Sequence, residues 1–75
     1  MDVSHTIRNN TVKIFISGIL HIYFRREHLR GLQSWQFGKD QFVIEVKLKD
    51  ATLTLEYDQR EKWTAILTAL DTCLP

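Results

Sequence analysis

Seventy-five residues make one domain close to the size at which a single core only just outweighs chain entropy, so self-association is expected from the outset. With 44% hydrophobic and 25% charged residues, three Gly and one Pro, the composition excludes a disordered or low-complexity chain. The formal charge of +1 is unevenly spread: residues 1–30 carry five basic groups against two acidic ones, the remainder five against seven. Such asymmetry steers an anionic partner, or draws one end of a subunit to the other end of its neighbour.

The single cysteine, Cys73, excludes an internal disulfide and a cysteine-rich zinc site. The opening Met1-Asp2-Val3-Ser4-His5 has no basic flank followed by an apolar core, so a cytoplasmic, reducing compartment is expected. Val12 to Phe24, the longest apolar stretch, is interrupted by Lys13 and His21 and is shorter than the roughly 18 residues a spanning helix needs. No membrane insertion is expected. Asn9-Asn10-Thr11 matches the glycosylation triplet, but so short a match carries no weight without a sign of secretion.

Residues 1–10 are polar and aperiodic and read as a mobile N-terminal tail, leaving 11–75 as a single α+β domain. From Val12 the even positions Ile14, Ile16, Leu20, Ile22 and Phe24 are apolar, and the odd positions are mixed. A two-residue turn at Ser17-Gly18 would mix these faces. Either one long strand bends at Gly18, or a hairpin closes over Ile16-Ser17-Gly18, the reading favoured by strand length. A charged connection, Arg25 to Gly31, leads to a strand over Leu32 to Phe37 and a tight Gly38-Lys39 turn. That register sets Trp35 opposite Phe42 on the face continued by Ile44, Val46 and Leu48. A turn at Asp50-Ala51 then sets Leu48 opposite Leu53 and Glu45 opposite Glu56.

After Asp58 the period changes to that of a helix, with Trp63, Ile66, Leu67, Leu70 and Leu74 on one side. Asp58 and Glu61 have the spacing of a capping box, which starts the helix at Gln59. The expected fold is therefore α+β: an antiparallel β-meander of four to five strands with one C-terminal amphipathic helix packed on one sheet face. Leu53-Thr54-Leu55-Glu56-Tyr57 followed by Glu61-Lys62-Trp63 resembles the end of a pleckstrin-homology domain over about a third of the chain. Such domains have more strands and more residues, so their lipid-binding positions do not carry over.

No nucleophile stands with a base and an orienting partner, no glycine-rich loop can cradle phosphate, and the three histidines lack metal-ligand spacing. A non-enzymatic protein without a cofactor is expected. The first candidate surface, suited to self-association as a homodimer or to another protein partner, is the edge of the sheet or the mixed side of the early strands, Phe15, Ile19, His21 and Tyr23. The second is a basic cluster, Arg25, Arg26, Arg30 and Lys39, suited to nucleic acid or another polyanion. A small-ligand cleft between sheet and helix is the third. Paired carboxylates at Glu45 and Glu56 form a weaker acid–base candidate, and Cys73, at the negative end of the helix dipole, is expected to stay a thiol.

Overall fold

The computed structural model describes residues 2–74. Along the chain lie β1 (Val3–Arg8), β2 (Thr11–Ile16), β3 (Ile19–Arg25), a 3₁₀ turn at Arg26–His28, β4 (Leu29–Phe37), β5 (Gln41–Leu48), β6 (Thr52–Tyr57) and the helix α1 (Arg60–Thr72). The α+β class and the C-terminal helix agree with the sequence reading. The single meander of four or five strands does not: two three-stranded antiparallel sheets form, β1-β2-β3 and β4-β5-β6. The 3₁₀ turn separates them, and the inner faces of both, with one side of α1, supply a common hydrophobic cluster. Splitting the meander lets two half-apolar sheets cover one another, which one 13-residue helix could not do for a single wide sheet.

The extra strand comes from the segment expected to be a tail. Asn9 and Asn10 take left-handed backbone angles (φ 50° and 61°), giving a two-residue turn that pairs Arg8 with Thr11 and carries β1 alongside β2. Asn tolerates this region better than most residues, and paired positive φ values match the twist of a hairpin.

Between β2 and β3 the turn has two residues, Ser17 (φ 51°) and Gly18 (φ 77°), so neither the bent strand nor the three-residue loop is used. Ile16 pairs with Ile19 and Phe15 with Leu20, and a bulge then makes Ile14 pair with Ile22. His21 is the extra residue. The bulge returns Ile22 and Phe24 to the buried face with Val12 and Ile14, while Leu20 is turned outward and is 45% exposed. One irregularity thus repairs the mixing that a two-residue turn imposes.

A second departure occurs at Gly38-Lys39-Asp40, a three-residue turn that pairs Phe37 with Gln41 and Trp35 with Val43. Trp35 therefore does not face Phe42. The slip of one residue sends Trp35 and Phe37 to the outer face, 42% and 69% exposed, because strand faces have a period of two. Trp63 already packs on Phe42, with ring centroids 5.2 Å apart, so the inner face takes the smaller Ser34 and the polar Gln36. Gln36 Oε1 accepts a 2.9 Å hydrogen bond from Arg60 Nη2.

The β5–β6 pairing also differs from expectation, but by two residues. Val46 faces Leu53 and Ile44 faces Leu55, so an even slip leaves every side chain on its expected face. It separates the Glu45–Glu56 pair: Glu45 faces Thr54 and Glu56 faces Val43.

Helix α1 begins at Arg60 after an extended Gln59, with no side-chain cap, so the Asp58–Glu61 capping box does not form. Thirteen residues are marginal as an isolated helix. Burial of Ile66, Ala69 and Leu70 in the shared cluster supplies the stability, at about 1.5–3 kcal/mol for each large side chain. Trp63 Nε1 adds a 3.0 Å hydrogen bond to the Val43 carbonyl, tying the helix to β5.

Candidate interaction surfaces

The register defines each outer face. On the β1–β3 sheet it carries Ser4, Thr6 and Arg8 from β1, Thr11, Lys13 and Phe15 from β2, and Leu20, Tyr23 and Arg25 from β3. None of these is acidic. Of the residues expected to mediate self-association, Phe15 and Tyr23 share this face, and Tyr23 is 65% exposed. Ile19 stands at the turn instead, and Leu20 takes the place beside Phe15.

His21 leaves the group altogether. Its Nε2 lies 2.7 Å from the Tyr57 hydroxyl, joining β3 to β6 and so one sheet to the other. Burial, helped by the positive Lys62, lowers the His21 pKa below its usual 6.5, and burial pushes the Tyr57 phenol up to about 12. Both groups are neutral at pH 7, and the Nδ1-protonated tautomer lets the Tyr57 hydroxyl donate to Nε2. The bond is a tie between the two sheets.

The expected basic cluster is dispersed. Arg25 is ion-paired with Glu27 at 2.6 Å, and Arg30 Nη1 donates to the Glu27 carbonyl at 2.7 Å. Arg26 is half-buried near Cys73, and its Nε meets no acceptor among the described residues. Lys39 lies in the turn at the other end of β4, on the order of 25 Å from Arg30 at the usual strand rise. Of the four, Arg25 joins the outer face of the β1–β3 sheet.

Arg8 and Lys13, by contrast, come together without having been singled out. Thr6 faces Lys13 and Arg8 faces Thr11 across β1 and β2, and a depression of about 290 Å³ is lined by these four residues and Asn9. The legible signal was Asn9-Asn10, a two-residue hairpin turn in its own right.

The outer face of the β4–β6 sheet is different in kind. Trp35, Phe37, Gln41, Val43, Thr54 and Glu56 line a shallow depression of about 260 Å³. Its charges are Glu45, Lys47 and Glu56, with Lys47 Nζ 3.7 Å from Glu45. Beside it runs β4, an edge strand of nine residues with no charged side chain from Gly31 to Phe37.

Between sheet and helix lie two open depressions. One of about 320 Å³ is lined by Leu32, Ser34, Leu67, Thr68 and Asp71, and one of about 360 Å³ includes Val3, His5 and Ala65. Neither gathers the converging polar groups of a ligand site. Among the described residues no His, Cys, Asp and Glu cluster could hold a metal ion, and no helix is long and apolar enough to cross a membrane. Cys73 is buried, with Sγ 3.2 Å from the Ala69 carbonyl, and burial raises its pKa. Comparison with protein-family models, curated proteins and solved structures finds no match.

Proposed function

We propose that the chain is a small non-enzymatic interaction module that self-associates through the free edge of β4. The observation that carries this reading is the edge itself: beyond the register shift at Arg30 it runs seven residues, Gly31 to Phe37, without a charge, with Trp35 and Phe37 on it exposed. Unpaired backbone on a long edge is a template for another strand, and proteins that stay monomeric usually guard it with Lys, Pro or a covering element. Antiparallel pairing of β4 with β4 of a second copy satisfies those groups twice over a two-fold axis. It also sets both aromatics beside cross-strand neighbours from the second copy, and aromatics are enriched at interfaces.

Light scattering coupled to size-exclusion chromatography, over a range of concentrations and at two salt levels, tests the reading. A dimer is expected, weakened by Trp35→Glu and changed little by salt. Far-UV circular dichroism of the variant checks that the fold persists. A monomer at every concentration would overturn self-association, and an unaltered dimer in Trp35→Glu would overturn the β4 seam.

A further inference from the structure

We infer that the outer face of the β1–β3 sheet binds single-stranded nucleic acid, with a backbone phosphate held between Arg8 and Lys13 and bases stacked on Tyr23 and Phe15. Thr6 faces Lys13 and Arg8 faces Thr11, so two cations and two hydroxyl groups surround the depression of about 290 Å³. Among the described residues neither Arg8 nor Lys13 is ion-paired. A guanidinium, an ammonium and two hydroxyls are donors to a phosphodiester, and no carboxylate on this face opposes the charge.

The aromatics stand where the bases would fall. Tyr23 is directly opposite Lys13, which places the two Cβ atoms about 5 Å apart. Phe15 is two residues from Lys13 on the same face, about 7 Å along the strand, or roughly twice the 3.4 Å rise between stacked bases. Each ring can therefore receive its own base, while Arg25, two residues along β3 from Tyr23, lies at the margin with its charge already met by Glu27. Interleaved aromatic and basic side chains on an open sheet suit unpaired bases, because a duplex keeps its base faces hidden. The site shares no residue with the proposed β4 seam, so either can fail without the other.

Fluorescence anisotropy of a short labelled oligouridine and an oligodeoxythymidine, titrated with the full chain at about 50 and 200 mM salt, is the test. Binding is expected to weaken with salt at a slope of about −1.4 in logarithmic terms, for the two unpaired cations on a single strand. Tyr23→Ala is expected to weaken binding about 10-fold or more, with Tyr23→Phe close to the parent. Arg8→Ala and Lys13→Ala are each expected to weaken it and flatten the salt slope, whereas Lys62→Ala leaves it unchanged. Absence of binding at the lower salt would overturn the inference. So would equal affinity for a duplex of the same length, or an unaltered affinity in Tyr23→Ala, either of which would mark a simple anion site without stacking.

Discussion

The two sheets have the same strand count and the same meander connectivity, and their inner faces meet in one cluster, yet their outer faces diverge. The β1–β3 sheet presents Arg8, Lys13 and Arg25 around Phe15, Leu20 and Tyr23, while the β4–β6 sheet presents Trp35 and Phe37 among mostly neutral neighbours, with Glu45, Lys47 and Glu56 as its charges. The difference arises from single-residue irregularities. A bulge at His21 keeps the first sheet's apolar set inside, and a three-residue turn at Gly38 puts two aromatics of the second outside. Core formation constrains the inner faces together, whereas each outer face is free to take its own chemistry.

The largest expected effect tests whether the core is truly common. Ile14 and Ile44 are fully buried, one in each sheet, and Ile14→Ala or Ile44→Ala should each cost about 2–5 kcal/mol. Urea unfolding followed by circular dichroism would measure this, with hydrogen exchange comparing the two sheets. Equal losses and simultaneous exchange are expected, whereas exchange confined to β1–β3 in Ile14→Ala would break the picture of one core.

Two deletions sharpen the contrast between the irregularities. Removing Lys39 shortens the turn, shifts β4 by one residue and drives Trp35 toward the space held by Trp63, an overpacking expected to cost about 1–3 kcal/mol. Removing His21 leaves Ile14 opposite Ile22 and forfeits the bond to Tyr57, a loss of about 1 kcal/mol. Thermal melts of the two variants rank them, and a costlier His21 deletion would show that the bulge shapes the sheet beyond adding one side chain.

A smaller effect is expected with pH. Because His21 has its pKa lowered from 6.5 in the fold, the unfolded chain takes up the proton first. Its contribution is intact above pH 6.5 and is lost as the pH falls through the window down to the folded value. Tyr57 acts in the opposite range: its phenol rises from 10.0 to about 12, so stability is full below pH 10 and declines as the pH climbs toward 12. Denaturation midpoints against pH should lose the histidine-dependent part of the acid limb in His21→Gln and the tyrosine-dependent part of the alkaline limb in Tyr57→Phe. The slightest effect concerns Cys73, whose buried, raised thiol should react with a thiol reagent only as fast as the helix end opens. Rapid labelling of the native chain would contradict this.

Strands β5 and β6 and helix α1 were legible because their apolar periods, two and then 3.6, are unbroken over long stretches. Strand β1 was not, since Ser4, His5 and Thr6 are exposed and leave no alternation to read. Turn length set the remaining errors. The two-residue slip at β5–β6 was harmless, the one-residue slip at Gly38 exchanged the faces of β4, and sequence pattern weighs a two- against a three-residue turn poorly when either face can be filled. For the candidate sites, Phe15 and Tyr23 were visible as apolar residues on a mixed face. Arg8 and Lys13 escaped because their proximity depends on the hairpin at Asn9-Asn10.

The placement of the two tryptophans gives the chain a pair of optical probes with separate duties. Trp63 is half-buried against Phe42 with its indole N–H bonded to Val43, so its emission should be blue-shifted and respond to unfolding. Trp35, on the other side of the same sheet and open to water, should emit further to the red and respond to whatever covers β4. Single replacement of either by Phe would let association and unfolding be followed separately, by light alone, in an otherwise unlabelled protein.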